Sequence, residues 1–406
     1  MQIDHKHLPR FPEKSMTTQQ QSSDEPILYI DTAAQLESFC AKVAETSDWV
    51  AIDTEFIREK TYYPQLCLAQ IATEQLAACI DPLLIKNIDA LLNIIFDDKL
   101  TKVMHAGRQD LEIFYHHRGY LPQNIFDTQL AAPYLGLTEQ MSYAALVQEY
   151  TGVKLNKAMT RTDWRSRPLS EEQIQYAAND VTYLAQIYLI MRQHLKDKNR
   201  EHWLTDEVEK LIDIQQYRQE PANMWQRIRG HDKLNGTSLS VLVGLAAWRE
   251  ETAKTINFPR NWIIRDEVLV DIARILPKHK QGLRKIRGMN EKTVHQHSEQ
   301  LLGCINEYRL KPPPIISHKK FKKLSTEHNA IVDILMSLVR RCGIEHEINP
   351  CVIGTRKDLE NFTVKSPSRI MDDWRYEIIG KQLEAMLNGE LSVKIINDQI
   401  ELIPDH

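Results

Sequence analysis

Three short β-type runs in quick succession, Trp49–Phe56 (WVAIDTEF), Leu66–Ala72 and Leu76–Ile80, do most to limit what this chain can become. Turn-like or polar residues separate them, and Asp81 and Pro82 end the third, so the spacing predicts consecutive antiparallel strands. Ile27–Ile30 predicts a strand ahead of them, and Thr32 is placed to cap an amphipathic helix. After the three runs come helical periodicity through Phe96, a strand at Lys102–His105, a helix from about Gly107 to His117, and further helices to about residue 203. That order predicts an α/β architecture, helices packed on the faces of a mixed sheet. Beyond about residue 206 the strand signal disappears. The remainder reads as helical, interrupted at Arg229–Thr237 and at the proline-rich Lys311–Ile316.

A chain of 406 residues is too long for one ordinary core, and roughly 150 residues per domain predicts two or three. The expected division is a disordered tail over 1–25, an α/β domain over 26–205, a helical linker over 206–235, a helical domain over 236–312, a basic linker over 313–324 and a second helical domain over 325–406. With an offset of 91, Arg249 falls on Arg340, Pro259 on Pro350 and Arg265 on Arg356. A divergent repeat would produce these coincidences, and so would chance.

The formal net charge of -4 gives no global reason to bind a polyanion. Nucleic-acid contact would have to come from local clusters. Arg274, Lys278, Lys280, Arg284, Lys285 and Arg287 form one, and Lys319, Lys320, Lys322 and Lys323 another. A solvated basic face has the same composition. Trp248 and Trp262 read either as base-stacking platforms or, more commonly, as core. The six cysteines show no metal-ligand spacing and read as free thiols in a reducing compartment. No signal segment or membrane span is recognisable, so the expectation is a cytoplasmic monomer; Met16 is a second candidate start.

Asp53 and Glu55 stand two apart on an apolar strand, so both carboxylates face the same way. Their repulsion on a buried sheet is relieved by a divalent cation between them. A strand with an acidic solvent face presents the same D-x-E, and the pair alone does not choose. Tyr176 and Asp180, four apart, share one helix face. Asp110 opens a helix just past a strand end, where α/β sheets build their sites and where a carboxylate also complements the helix dipole. Asp127 precedes a helical run and reads as its N-cap; His105 reads as a structural histidine, and Gln129 and Asp163 carry no assigned role.

The order D-x-E, Asp, Y-x-x-x-D resembles the tyrosine subgroup of the DEDD exonucleases. FIREKTYYPQLCLAQIA (56–72), HAGRQDLEIF (105–114), FDTQLAA (126–132) and RTDWRSRPLSEEQIQYAANDVTYL (161–184) narrow that resemblance to the ribonuclease D family. LAAWREETAKTINFPRNWIIRDEVLVDIA (245–273) and LRKIRGM (283–289) are similar to the HRDC domain, and the segment after the proline linker more loosely so. The resemblance implies a ribonuclease H-like exonuclease domain followed by two all-α HRDC-type domains. It also implies a 3′→5′ exoribonuclease that trims tRNA precursors and other structured RNAs with a single-stranded 3′ end, releasing nucleoside 5′-monophosphates. Carried over residue by residue, Asp53 would bridge two Mg2+ or Mn2+ ions, Glu55 and Asp180 would complete one site, Asp110 would support the other, and Tyr176 would orient the attacking water. The rivals are a DNA 3′→5′ exonuclease and a catalytically silent RNA-binding protein. No G-x-x-x-x-G-K-[ST] loop supports a helicase-linked enzyme.

Overall fold

The computed structural model describes residues 27–155, 162–315 and 324–405. Its first half is built on a six-stranded mixed sheet, β1 (Leu28–Ile30), β2 (Trp49–Ile57), β3 (Gln65–Ala72), β4 (Ala77–Ile80), β5 (Thr101–Met104) and β6 (Ile125–Asp127). The spatial order is β1-β4-β3-β2-β5-β6. β2, β3 and β4 are antiparallel neighbours, as the spacing of the three runs predicts, whereas β1, β5 and β6 join in parallel. Helices α1 (Ala33–Thr46), α2 (Asp89–Ile95) and α3 (Arg108–Arg118) share one apolar core with Ile52, Ile71 and Met104 of the sheet. Thr32 caps α1 in a reciprocal capping box with Gln35. Short α4 (Thr128–Ala131), α5 (Tyr143–Thr151) and the long α6 (Glu171–Asp197) follow, and α6 lies across β2, β3 and β4 on the other face.

The second half is mostly helical: α7 (Thr205–Leu211), α8 (Gly236–Thr255), α9 (Arg260–Ile263), α10 (Asp266–Ile275), α11 (Lys280–Arg284) and α12 (Glu291–Tyr308), then α13 (Thr326–Glu345), α14 (Pro350–Ile353), α15 (Arg356–Thr363), α16 (Asp373–Arg375) and α17 (Lys381–Leu387). A long helix, a single turn and a third helix recur, but 90 positions apart (236 to 326, 260 to 350, 266 to 356). The coincidences at 91 therefore fall one residue out of register with the elements.

One expectation is overturned. The chain closes not on helix but on a hairpin of β7 (Leu391–Ile396) and β8 (Gln399–Pro404), so its last segment is not all-α. LSVKII and QIELIP carry alternating β-branched residues, and Asn397 and Asp398 both take the positive φ that a two-residue hairpin turn requires. The turn chemistry was legible, but a strand signal of six residues is short beside the surrounding helical periodicity.

The two helical segments attach to the sheet domain differently. Tyr62, in the loop after β2, donates its hydroxyl to Glu250 of α8 and to Gln219 (2.6 Å), while Asn257 accepts from the Tyr62 and Tyr63 amides at 3.0 and 3.1 Å. Arg260 pairs with Glu250 and lies over the Tyr62 ring. The last segment instead shares a core with the first half. Leu335, Leu338, Val339, Ile353, Leu359 and Ile379 pack with Tyr134, Leu146, Ile187 and Met191, and Trp374 stacks on Trp203 with ring centroids 4.0 Å apart. The fully buried Arg375 bonds Val352 O (2.8 Å), Asp206 (3.2 Å) and the Tyr134 hydroxyl (3.4 Å).

A chain cut before α8 would leave that shared core open to water. Trp374→Ala should accordingly destabilise the fold by about 3–5 kcal/mol. Urea unfolding checks this, and a loss under 1 kcal/mol would show that the shared core does not hold the two halves.

Candidate active site

β2 is nine residues long and its parallel neighbour β5 only four; their pairing ends at Ala51 opposite Val103. Past that point β2 runs on alone on that side, and Asp53 and Glu55 stand in the resulting notch at the carboxyl ends of the parallel strands. The ladder to β3 slips by one residue between Glu55 and Phe56, a bulge of the kind that re-aims side chains beside sites. α3 brings Asp110 to the notch, buried and receiving a hydrogen bond from the Thr54 hydroxyl. α6 brings Tyr176 and Asp180 from the other side, and all of Asp53, Glu55, Tyr176 and Asp180 remain partly accessible.

The segment before α6 fixes this helix. Arg167 pairs with the buried Asp81 and donates to Cys67 O at 2.7 Å, and the buried Trp164 lies beside the Tyr176 ring. Tyr143 donates its hydroxyl to Asp180 O, tying α5 to the same turn.

The electrostatics show that the carboxylates converge. Burial pushes Glu55 up to about 9, with further upward contributions from Asp53, Asp180 and Asp110. Asp110 rises to about 8 through burial and Asp53, and Asp180 to about 8 for the same two reasons. Asp53 rises to about 6 through burial, partly offset by a backbone hydrogen bond from Thr54. The Tyr176 phenol goes up to about 12, by burial and then by Asp180, Glu55 and Asp53. Among the described residues, no arginine, lysine or histidine is ion-paired to any of these four carboxylates. Asp53, Glu55, Asp110, Tyr176 and Asp180 are thus one constellation, assembled from β2, α3 and α6.

As the side chains stand, no group of three or more His, Cys, Asp or Glu among the described residues closes round an ion. The donor chemistry nonetheless fits a hard divalent cation, since several carboxylate oxygens face one another with no positive group between them. Electrostatic coupling reaches further than coordination distance, so the two observations describe charges that are gathered but not clamped.

Other sequence candidates fall elsewhere. Asp127 caps α4 through the Gln129 and Leu130 amides, and also accepts from the Ala106 and Gly107 amides. His105 bonds Thr128 through Nδ1 at 2.9 Å. Gln129 donates to Met141 O, and the exposed Asp163 pairs with Arg165. In the basic cluster, Arg274 and Arg284 are paired with Asp271 and Glu291, while Lys278, Lys285 and Arg287 are exposed. Lys319, Lys320, Lys322 and Lys323 lie outside the described residues. Trp262 is 56% exposed, against the expectation of a core tryptophan, whereas Trp248 is partly buried.

Two residues escaped sequence reasoning. Gln70 is fully buried directly across the ladder from Asp53, with both amide atoms unpartnered. A lone amide inside the apolar run LCLAQIA was the available signal. Tyr143, whose phenol is held well above its ordinary range by burial and by Asp180 and Asp53, had no signal short of the fold.

A mixed sheet carrying this acidic quartet and a tyrosine defines a 3′–5′ exonuclease domain, and that domain family matches residues 27–196, with an HRDC domain matching 238–305. The chain is 38% identical to ribonuclease D of Bartonella henselae over 371 residues, 87% of this chain and 88% of the relative. It is 36% identical to that of Zymomonas mobilis, across 92% and 97% of the two chains. The crystal structure of Escherichia coli RNase D, described as an exoribonuclease involved in structured RNA processing, superposes with a TM-score of 0.75 at 30% identity, covering 90% of this chain and 99% of that one. The chain belongs to the ribonuclease D family and is a 3′–5′ exoribonuclease. One HRDC domain is found rather than the two expected. No helix among the described residues is long and apolar enough to cross a membrane.

The raised carboxyl groups give a pH prediction. A carboxyl whose pKa is higher folded than unfolded adds stability that is complete below about pH 4 and disappears as pH rises through its folded value. Without metal, the melting temperature should therefore fall between about pH 5 and 9. Glu55→Gln should flatten that slope in chelator, and Mn2+ should raise the wild-type curve at pH 8. Scanning calorimetry measures both, and identical slopes for the variant and the wild type would contradict the assignment.

Proposed function

We propose that the protein trims the 3′ ends of tRNA precursors and other small structured RNAs, releasing nucleoside 5′-monophosphates by two-metal-ion hydrolysis. The observation that carries this reading is the convergence of Asp53, Glu55, Asp110 and Asp180 with no cationic partner among the described residues. Once its carboxyls are ionised, such a site without counter-charge would repel a phosphodiester. Asp53 would hold both ions, with Glu55 and Asp180 on one and Asp110 on the other. Two Mg2+ or Mn2+ ions would supply charge neutralisation, activation of the attacking water and stabilisation of the leaving oxygen.

The protein's own groups do the rest. Tyr176, neutral across the working pH range because its phenol sits near 12, positions water by hydrogen bonding. Trp164 packs against its ring and limits where the hydroxyl can go. Thr54 holds the Asp110 carboxyl in one orientation from the neighbouring strand. The HRDC domain, with Lys278, Lys280, Lys285 and Arg287 facing solvent in whole or in part, holds the body of the RNA and raises the local concentration of its 3′ end. Arg274 and Arg284 would join them on exchanging their carboxylates for phosphates. Residues 325–406 would act as a divergent HRDC-like domain, and 1–25 and 313–324 as a tail and a basic linker. Six cysteines without a disulfide among the described residues are in keeping with a reducing compartment such as the cytoplasm, and we read the protein as a monomer.

Matched 3′-labelled RNA and DNA strands, digested with and without chelator, test the reading. RNA should be shortened stepwise to 5′-monophosphates and chelator should stop it. Asp53→Asn should lose turnover even in saturating Mn2+, whereas Tyr176→Phe should slow it about 10²-fold while still binding metal. Wild-type rates from Asp53→Asn, or faster digestion of DNA than RNA, would overturn the proposal.

A further inference from the structure

A cleft of about 550 Å³ lies between the exonuclease sheet domain and the HRDC domain, within the range (about 300–1,000 Å³) of sites that enclose ligands. Its walls come from both domains and from the segment between them. Arg58 follows β2, Arg108 is the first residue of α3, Arg227 ends the short helical segment Pro221–Arg227, and Arg249 and Arg260 belong to α8 and α9.

Charge accounting separates these arginines into two kinds. Arg58 pairs with Glu112 at 3.0 Å, Arg249 with Asp266 at 2.8 Å, and Arg260 with Glu250. Glu59, the remaining acid of the lining, acts on Arg165 outside the cleft. Arg108 and Arg227, both exposed, have no carboxylate partner among the described residues. Two guanidinium groups without a carboxylate counter-charge in one cleft suit an anion with several acceptor oxygens.

The position of the cleft identifies that anion. Arg58 lies three residues past Glu55, and Arg108 two residues before Asp110, so the cleft flanks the elements that carry the catalytic carboxylates. Successive residues in an α-helix point about 100° apart, so Arg108 and Asp110 leave α3 on different faces. Glu112, one turn from Arg108, lines the cleft with it. A strand that leaves the notch over the first turn of α3 brings its upstream backbone to these arginines.

We propose that this interdomain cleft is a phosphate subsite for the RNA backbone upstream of the 3′ end, with Arg108 and Arg227 as its principal ligands. This inference deepens the RNA-trimming reading. Guanidinium groups read phosphate geometry and not base identity, so the subsite is indifferent to sequence and sensitive to salt. It also requires the docked arrangement that Tyr62, Glu250 and Arg260 maintain.

The test uses the full chain with a hairpin RNA bearing a single-stranded 3′ tail, and a trinucleotide too short to leave the notch. Arg227→Ala and Arg108→Ala should each raise KM for the tailed hairpin about tenfold, as the loss of one charge-assisted hydrogen bond implies. Trinucleotide turnover should stay at the wild-type rate. Each should also reduce the slope of log KM against log salt by about 0.7, and the lysine variants should restore most of that slope. Unchanged KM and slope in both alanine variants would overturn the subsite, as would equal losses on the two substrates. If the wild type cleaves neither substrate, the exonuclease reading fails instead. Anisotropy binding of the tailed RNA to wild type and Arg227→Ala then still decides the subsite.

Discussion

Mutual repulsion among four carboxylates, set where a long strand outruns its parallel neighbour, is the constraint around which this structure is arranged. Asp53 and Glu55 cannot avoid each other, because alternate residues of β2 share a face. Asp110 and Asp180 come from helices on opposite faces of the sheet and meet them in the same notch. Asp53 raises the proton affinity of the other three, Asp110 and Asp180 raise that of Glu55, and no paired base among the described residues relieves them. A fold does not keep such an arrangement for stability, since burying like charges costs free energy that apolar side chains would not. Such an arrangement suits bound positive charge.

The scaffolding follows from holding that arrangement in place. Arg167 on Asp81 and Trp164 beside Tyr176 orient the long helix. The Tyr62 loop couples the active strand directly to the HRDC domain through side-chain hydrogen bonds. Trp203 on Trp374, and the buried Arg375, bind the last segment to the exonuclease domain. The active strand and the HRDC domain are thus neighbours through packed side chains and not through a linker alone.

Much of this was legible in the sequence, for identifiable reasons. The antiparallel opening of the sheet followed from three apolar runs with polar breaks, and the shared face of Asp53 and Glu55 from strand geometry alone. Tyr176 and Asp180 followed from helical spacing. What brought Asp110 to them, however, was tertiary; its place at a helix start just past a strand end marked it as a candidate, and the resemblance of HAGRQDLEIF to a known family joined it to the others. The terminal hairpin was hidden because six-residue strands weigh little beside long helical periodicity, although Asn397-Asp398 marked its turn. Gln70, marked only as a lone amide in an apolar run, and the interdomain arginines were missed for a different reason. Their significance lies in lacking partners, and partners are a property of the folded molecule.

Diffraction from crystals grown in Mn2+, with anomalous differences recorded at the manganese edge, addresses the quartet most directly. Two peaks within coordination distance of Asp53, with Glu55 and Asp180 on one and Asp110 on the other, are the result this account predicts. Manganese found only elsewhere on the surface, with the notch free of anomalous density at saturating metal, would contradict it.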